Sequence, residues 1–404
     1  MLCDADSAIR TANLRALAYE NMNARRNHLA SKLAETKDEH FEWIWDEAPL
    51  AVQADETVTD LYQGTPSSKW LDKWRPGFVP WLKNNSPIFW IFGKPASGKS
   101  TLMKFISANE RCSQILNSAS GREWHLINFF FDYRLHKNEA NSMEGMFKSL
   151  LSQLIDQSPA ISHHIASSDF GKSLRLPFHE APLNELRNAI LSAITSTECH
   201  VCMFVDGLDE FEASYRPLVV YLKSLADGER VKICLASQPE LQLQHALKDV
   251  PSIAMQDYNE STIAAYVRDS LTEYAESLPE ASLQRLTDEI VRNSSGVILW
   301  SQLVCADVVE GMLAYETKTE LLNRISSFPS GLNEVYDRLF ERMDSRYFAE
   351  TALILYLVNA SMYARSTSQS CRECWNDSPN SLVYYHILYN TFLGKVLSAV
   401  STPV

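Results

Sequence analysis

Residues 93–100, which read GKPASGKS, constrain the fold of this chain more than any other segment. Two glycines enclose four residues and are followed by a lysine and a serine, the pattern of a loop that wraps backbone N–H groups around a phosphate. An apolar run, residues 88–92, precedes the loop, and residues 102–106 continue it with helical spacing. The sequence therefore predicts an α/β domain in which a strand, this loop and a helix follow one another.

Each residue type in the loop suits a bound nucleotide phosphate. Gly93 and Gly98 permit backbone dihedrals and a close approach that a Cβ would block. Lys99 supplies a positive charge to the β and γ phosphates, Ser100 offers a hydroxyl to Mg²⁺, and a helix starting near Thr101 directs its positive end at the anion. A glycine loop without a ligand is the alternative. The predicted nucleotide-binding residues are Gly93, Lys94, Pro95, Ala96, Ser97, Gly98, Lys99, Ser100 and Thr101.

Short apolar runs recur after residue 87, separated by helical stretches. Because their residues are apolar at consecutive positions, they suit strands that are buried on both faces of a parallel sheet. The predicted fold class is thus α/β with a parallel sheet, and the phosphate-binding pattern of residues 93–100 makes it a P-loop NTPase sheet. The runs are residues 88–92, 126–131, 201–205, 231–235 and 253–255, with helical patterns at 142–155 and 183–194.

A second element, residues 203–210 with the sequence MFVDGLDE, places acidic side chains where an apolar strand ends. Asp206 is predicted to hold Mg²⁺ directly or through water. Asp209 and Glu210 follow one short turn later and are predicted to orient or activate a water against the γ phosphate, which makes them the candidate catalytic residues. An acidic surface turn is the alternative interpretation.

A third element is the polar end of the run that starts at residue 231. Ser237 and Gln238 occupy this end and are predicted to sense the γ phosphate, although Gln238 brings no charge. Arg134, just past the second apolar run, is the nearest cationic candidate for compensation; a solvated loop arginine is the alternative.

The periodicity divides the chain into four parts. Residues 1–86 form a helical N-terminal arm and linker, with helical spacing over 10–50. Six of the nine tryptophans fall in the first 90 residues, and the aromatic side chains of the arm are expected to pack on the next domain. Residues 87–257 form the sheet domain. Residues 258–328 carry helical periodicity and predict a helical lid, and residues 329–404 end in an irregular tail.

Charge and cysteine usage limit the partners and the compartment. The net charge of −13 argues against a broad grip on nucleic acid. The eight scattered cysteines suit a reducing compartment, and Cys371 and Cys374 with His386 fall short of the four ligands of a zinc site. The acidic N-terminus does not resemble a secretory signal, and no run reaches the ~18 apolar residues of a membrane span. A cytoplasmic protein without a membrane span is expected.

The motifs together resemble the NACHT domains of fungal NOD-like proteins, which are STAND-type P-loop NTPases of the nephrocystin-3-like N-terminal type with AAA+-like folds. Residues 89–104 and 205–210 carry the resemblance, which covers about residues 14–360. Supporting matches are the segments 22–26, 41–44, 129–134, 146–154, 296–300 and 332–336.

This resemblance implies a molecular switch. Such proteins are signal-transduction ATPases in which ADP holds a closed form, and ATP opens it and permits oligomerisation through the nucleotide domain. In filamentous fungi they act in non-self recognition, heterokaryon incompatibility and regulated cell death. The resemblance assigns phosphate and Mg²⁺ binding to Lys99 and Ser100, the metal to Asp206, and hydrolysis to Asp209 and Glu210, with an unknown protein effector as partner.

Two departures from the family shape the expected function. Gln238 stands where an arginine is usual, which is expected to weaken the coupling between nucleotide state and shape. Both flanks also look incomplete, since no complete effector domain precedes residue 14 and the winged-helix-like segment within residues 329–404 stops being recognisable near residue 362. The chain is therefore expected to be truncated at both flanks. The leading hypothesis is an ATP/ADP switch with slow Mg²⁺-dependent hydrolysis. A degenerate nucleotide-binding scaffold and a small-molecule or nucleoside kinase are the alternatives.

Overall fold

The computed structural model describes residues 2–19, 22–34, 38–46, 77–132, 141–176, 181–211, 215–274 and 279–329. A five-stranded parallel sheet forms its centre, with the strand order β2-β3-β4-β1-β5. Because all strands run the same way, their carboxyl ends meet at one edge of the sheet. The predicted α/β parallel sheet is confirmed. The strands are β1 (Ile88–Phe92), β2 (Trp124–Phe130), β3 (His200–Asp206), β4 (Val231–Ser237) and β5 (Ser252–Ala254).

Helices surround the sheet and continue beyond it. They are α1 (Leu2–Leu17), α2 (Ala24–Ala34), α3 (Phe78–Lys83), α4 (Lys99–Ala108), α5 (Glu110–Ser120), α6 (Met143–Gln157), α7 (Pro159–Ser167), α8 (Asp169–Leu174), α9 (Leu183–Thr197), α10 (Tyr215–Leu225), α11 (Leu241–Ala246), α12 (Asn259–Thr272), α13 (Glu280–Ser294), α14 (Ile298–Leu313) and α15 (Lys318–Ser327). A 3₁₀ helix spans Asp38–Trp45.

The predicted helical bounds differ from the structure by one to three residues at 142–155 and 183–194, and also in the helix after the loop and in the N-terminal arm. The helix after the loop begins at Lys99 rather than near Thr101, because Gly98 already ends the loop in the left-handed conformation. The helical spacing over residues 10–50 is divided among α1, α2 and the 3₁₀ helix. α2 begins just after Asn23, a residue type that favours the start of a helix.

The two faces of the sheet have separate cores. Every residue of β1, β3 and β4 is buried, as the uninterrupted apolar runs predict. Alternate side chains, such as Trp90 and Met203, pack with α6 and α9 on one face. Their neighbours, such as Phe89 and Phe204, pack with α4 on the other. The helix that follows the loop is therefore anchored directly on the sheet.

A third apolar core holds the helices α12 to α15 together. Val267, Leu286, Val304 and Leu321 are fully buried in it, and the Trp300 indole donates to the Pro329 carbonyl at 2.6 Å. These helices coincide with the predicted helical lid, while the division of the chain into 1–86, 87–257, 258–328 and 329–404 stays a prediction.

Aromatic side chains attach the N-terminal arm to the rest of the molecule. Trp43 stacks on Tyr258, which immediately precedes α12, with ring centroids 4.5 Å apart. Trp81 in α3 packs on Phe89 in β1 at 5.3 Å. The predicted packing of the arm's aromatic residues is confirmed for these two; Trp70 and Trp74 lie outside the described residues.

A buried lysine fastens α3 to the sheet. Lys232 on β4 donates from its Nζ to the carbonyl oxygens of Trp81 at 2.9 Å, Asn84 at 2.6 Å and Ser86 at 3.1 Å. Its ammonium also lies 5.0 Å from the centroid of the Trp81 ring. Burial lowers the pKa of this lysine to about 8. The carbonyls in and just after the last turn of α3 thus find a charged donor inside the protein.

Several predictions fall on residues that the structure does not describe. They are Arg134, Cys371, Cys374, His386, the pattern at 332–336 and the tail beyond residue 329. Within the described ranges, no helix has both the length and the apolar character that crossing a bilayer requires.

Candidate nucleotide-binding site

The glycine-rich loop lies between β1 and α4, at the edge where the carboxyl ends of the strands meet. Gly98 adopts φ +92° and caps α4, and Ala96 adopts φ +57°. A Cβ on Gly93 would lie 2.8 Å from the Cβ of Met255 and 2.9 Å from the Ser97 Oγ. Both glycines are therefore required, one by its backbone angles and one by the space around it.

Lys99, the first residue of α4, folds back over the loop. Its Nζ donates to the Gly93 carbonyl at 2.8 Å and to the Lys94 carbonyl at 2.9 Å. Burial lowers its pKa, and the nearby charges of Asp209, Asp206 and Glu210 oppose that shift. The ammonium thus lies at the mouth of the loop, where the predicted phosphate contact requires it.

The remaining loop residues differ in exposure. Pro95 and Ala96 are exposed, Lys94 and Thr101 are half-buried, and Ser97 is fully buried. The backbone N–H groups, rather than these side chains, are the groups that such a loop offers to a phosphate.

The Ser100 side chain lies near the Asp206 carboxylate at the end of β3, where its hydroxyl acts to lower the pKa of that carboxyl. Asp206 is 2% exposed, and burial raises its pKa to about 6, against the lowering effects of Ser100, Arg25 and Lys99. A hydroxyl and one carboxylate fit Mg²⁺, which is usually held by one or two carboxylates together with phosphate oxygens. Among the described residues, no group of three or more His, Cys, Asp or Glu could hold a metal on its own.

The acidic turn after β3 is joined to the end of β4. The Asp209 carboxylate accepts a hydrogen bond from the Gln238 backbone N–H at 2.8 Å. The Glu210 carbonyl accepts from the Asn141 side-chain amide at 3.1 Å. Asp209 and Glu210 are both half-buried and lie close enough to Lys99 to act on its charge. The structure brings these predicted residues together, and their catalytic role stays a prediction.

The predicted γ-phosphate sensors, Ser237 and Gln238, have different surroundings. Ser237 is fully buried, and its hydroxyl accepts a hydrogen bond from the Trp90 indole at 2.9 Å. Gln238 is half-buried beside Asp209. Of the two, the structure favours Gln238 for a contact with phosphate; the sensing role itself stays a prediction.

A residue that sequence reasoning missed connects the loop to the helical lid. Asn259, the first residue of α12, is fully buried, and its side-chain amide donates to the Ser97 carbonyl at 2.7 Å and to the Gly296 carbonyl at 2.8 Å. The Lys94 Nζ adds a longer contact of 3.4 Å to the Ser295 carbonyl. Partners 162 residues apart leave no local pattern, so no signal in the sequence points to Asn259.

The strand order, the loop and the Ser100–Asp206 pair have the architecture of a P-loop NTPase domain. A family model described as "Nephrocystin 3, N-terminal" matches residues 67–238, which contain the loop, Ser100, Asp206 and strands β1 to β4. The chain is also similar to the vegetative incompatibility protein HET-E-1 of Podospora anserina, with 21% identity over 321 residues. These matches confirm the predicted family resemblance.

The aligned region is 76% of this chain and 22% of HET-E-1, so the chain spans about a fifth of that protein's length. Three solved structures show distant likeness. They are C. elegans PCH-2 (12% identity, 80% of this chain, 71% of that chain, TM-score 0.30), Drosophila ORC bound to DNA (13%, 76%, 81%, 0.36) and Aeropyrum pernix ORC2 in its ADP form (12%, 90%, 90%, 0.35). Likeness at this level carries no information about the function of the chain.

Proposed function

We propose that this protein binds ATP and ADP with Mg²⁺ at the loop and works as a nucleotide-dependent switch with slow hydrolysis. The observation that carries the proposal is the convergence of three groups at one edge of the sheet. These are the Lys99 ammonium over the loop carbonyls, the Ser100–Asp206 pair, and the Asp209 carboxylate tied to Gln238.

Each group has a distinct task in this proposal. The loop N–H groups and the N-terminus of α4 bind phosphate oxygens, and Lys99 exchanges the carbonyls of Gly93 and Lys94 for the β and γ phosphates. Ser100 and Asp206 hold Mg²⁺, which when bound neutralises charge on the phosphate oxygens. Asp209 and Glu210 orient a water for attack. Hydrolysis is slow because Gln238 brings no charge to the γ phosphate.

The switch operates through the contact between the loop and the lid. Asn259 joins the Ser97 carbonyl to the Gly296 carbonyl, so a loop that reshapes around a phosphate pulls on both α12 and the turn before α14. The helices α12 to α15 share one core, and they therefore move together. Opening of this module exposes the surface through which the nucleotide domain assembles into a homo-oligomer.

The proposed role is fungal non-self recognition or regulated cell death, in the cytoplasm and with a protein effector; the similarity to the vegetative incompatibility protein HET-E-1 supports the part that concerns incompatibility. The net charge of −13 supports a protein rather than a nucleic-acid partner. The scaffold alternative draws its support from Asp209, whose carboxylate already accepts the Gln238 N–H and is thereby less available to a water.

The test is to denature the purified protein, identify any released nucleotide by chromatography, and measure nucleotide affinity by titration. We expect ADP or ATP in near-stoichiometric amounts, and Lys99→Ala is expected to abolish binding. Lys172→Ala, an exposed lysine paired with Asp169, is the control and should bind normally. Unchanged affinity in Lys99→Ala would refute the proposal, and a wild type that binds ATP without measurable turnover would favour the scaffold.

A further inference from the structure

An arginine from the N-terminal arm reaches the metal side of this site. Arg25 is the second residue of α2, and its side chain is 17% exposed. Its Nε lies 3.9 Å from the Asp132 Oδ2, just beyond the end of β2. Phe130 of β2 pairs with Asp206 of β3, and the Phe131 N–H donates to the Asp206 carbonyl, so Asp132 and its neighbour Arg25 lie at the same end of the sheet as Asp206. The charge of Arg25 also lowers the pKa of the Asp206 carboxyl.

The contact between Arg25 and Asp132 leaves donors unused. A separation of 3.9 Å allows charge attraction but is too long for a hydrogen bond. The Nε–H is buried and has no hydrogen-bond acceptor. A guanidinium carries five N–H donors in a planar fork that matches phosphate geometry. Arg25 is thus a half-buried cation whose Nε–H has no acceptor, which leaves it able to bind a ligand rich in oxygen atoms.

The position of Arg25 indicates which phosphate group of a bound nucleotide it would contact. Ser100 and Asp206 would hold Mg²⁺, which would neutralise charge on the phosphate groups. Asp209 and Glu210 lie in the turn directly after Asp206, so the end of β3 is the side of the site where the γ phosphate would lie. Gln238, on the β4 side, supplies no charge there. The γ phosphate is the group that distinguishes ATP from ADP.

We propose that Arg25 determines the specificity of the site for ATP over ADP. When ATP binds, the guanidinium moves from Asp132 to a γ-phosphate oxygen. This inference rests on the nucleotide binding proposed above. It makes the N-terminal arm part of the nucleotide site, because α2 carries the cation that the end of β4 lacks. The arm then responds to ATP and not to ADP.

Arg26 offers a matched control on the same helix turn. Its guanidinium hydrogen-bonds to the Asn23 side chain. Burial lowers its pKa, and its charge acts on Lys104 of α4. Removing its charge changes the net charge of the protein by the same amount as removing that of Arg25. The two arginines thus differ in their neighbours, acids for Arg25 and a lysine for Arg26.

The experiment measures dissociation constants for a non-hydrolysable ATP analogue and for ADP, both with Mg²⁺, by calorimetry. We expect Arg25→Gln to weaken binding of the ATP analogue about tenfold or more, the range of a charge-assisted hydrogen bond, with ADP changed less than about threefold. Arg25→Lys should restore part of the difference because the charge remains. Arg26→Gln should leave the ratio of the two constants unchanged.

Equal weakening of both ligands by Arg25→Gln would overturn the inference, because a purely structural arginine acts on both alike. No weakening of either would overturn it as well. Thermal unfolding of each variant without nucleotide checks that the fold is kept. If Arg25→Gln does not fold, the ratio of the dissociation constants for the ATP analogue and ADP is measured in Arg25→Lys instead. A wild type that binds neither ligand would instead refute the proposed function.

Discussion

Gly296, in the turn between α13 and α14, offers a sharp test of how the lid is held to the loop. It adopts φ +76°, and a Cβ built on it would lie 2.5 Å from the Gln256 carbonyl oxygen and 2.7 Å from the Gln256 Cα. These are backbone atoms, which have no rotamer to move into. Gly121, at the end of α5, adopts a similar φ of +66° but has no atom within 4 Å of its would-be Cβ.

Comparing alanine substitutions at Gly121 and Gly296 separates the cost of backbone strain from the cost of crowding. The left-handed conformation costs an alanine about 1–2 kcal/mol at either site. Crowding against a packed neighbour adds about 1–3 kcal/mol at Gly296 alone. We therefore expect Gly121→Ala to lower the free energy of unfolding by about 1–2 kcal/mol and Gly296→Ala by about 2–5 kcal/mol, as measured by urea unfolding.

Gly296→Ala should also affect nucleotide binding. The Gly296 carbonyl accepts from Asn259, which holds the Ser97 carbonyl of the loop. A displaced Gly296 therefore shifts the loop, and Gly296→Ala should weaken nucleotide binding while Gly121→Ala should not. Equal losses of stability in the two variants, or normal nucleotide affinity in a destabilised Gly296→Ala, would refute this account of the contact.

Two further predictions concern buried charges. Lys232→Met should lower the free energy of unfolding by about 2–4 kcal/mol, because three carbonyl groups lose a charged donor. Lys223→Met, which removes an exposed lysine bonded to one carbonyl, should cost under about 1 kcal/mol, and a similar loss in both would argue against a special role for Lys232. The pKa of Asp206 is raised to about 6, and only the ionised carboxyl binds Mg²⁺ well, so Mg²⁺-dependent nucleotide affinity should strengthen as pH rises through about 6 and level off above. The same affinities measured in Asp206→Asn give the pH dependence that does not arise from this carboxyl. A wild-type pH dependence identical to that of Asp206→Asn would refute the assignment of Asp206 to the metal site.

The sheet and the loop were predictable because their signals are local. The run of residues 88–92 is apolar at every position, and the structure buries every one of them. The residues of the loop and of the acidic turn follow strands directly, so a shared sheet edge brings them together. The side-chain contacts of Ser237 were not predictable, since its partner Trp90 lies 147 residues away in the sequence.

Arg25 and Asn259 show why the rest of the site was hidden. Each lies in a helix that begins outside the sheet, and each reaches its partner across more than a hundred residues. In a sequence, an arginine or an asparagine near the start of a helix is common and usually indicates an exposed side chain. Only the packing of α2 and α12 against the sheet domain gives them neighbours at the loop.

The strand order also has a consequence for the chain while it is being made. β1 lies between β4 and β5, and β4 begins at Val231, 139 residues after Phe92 (231 − 92). At 5–20 residues per second, the ribosome needs about 7–30 s to reach it. Throughout that interval the segment IFWIF has neither neighbour, with two unpaired edges and five large apolar side chains. We therefore expect newly made chains to need protection during this interval, either from a chaperone or from the N-terminal arm, which is made before β1 and whose Trp81 packs on Phe89.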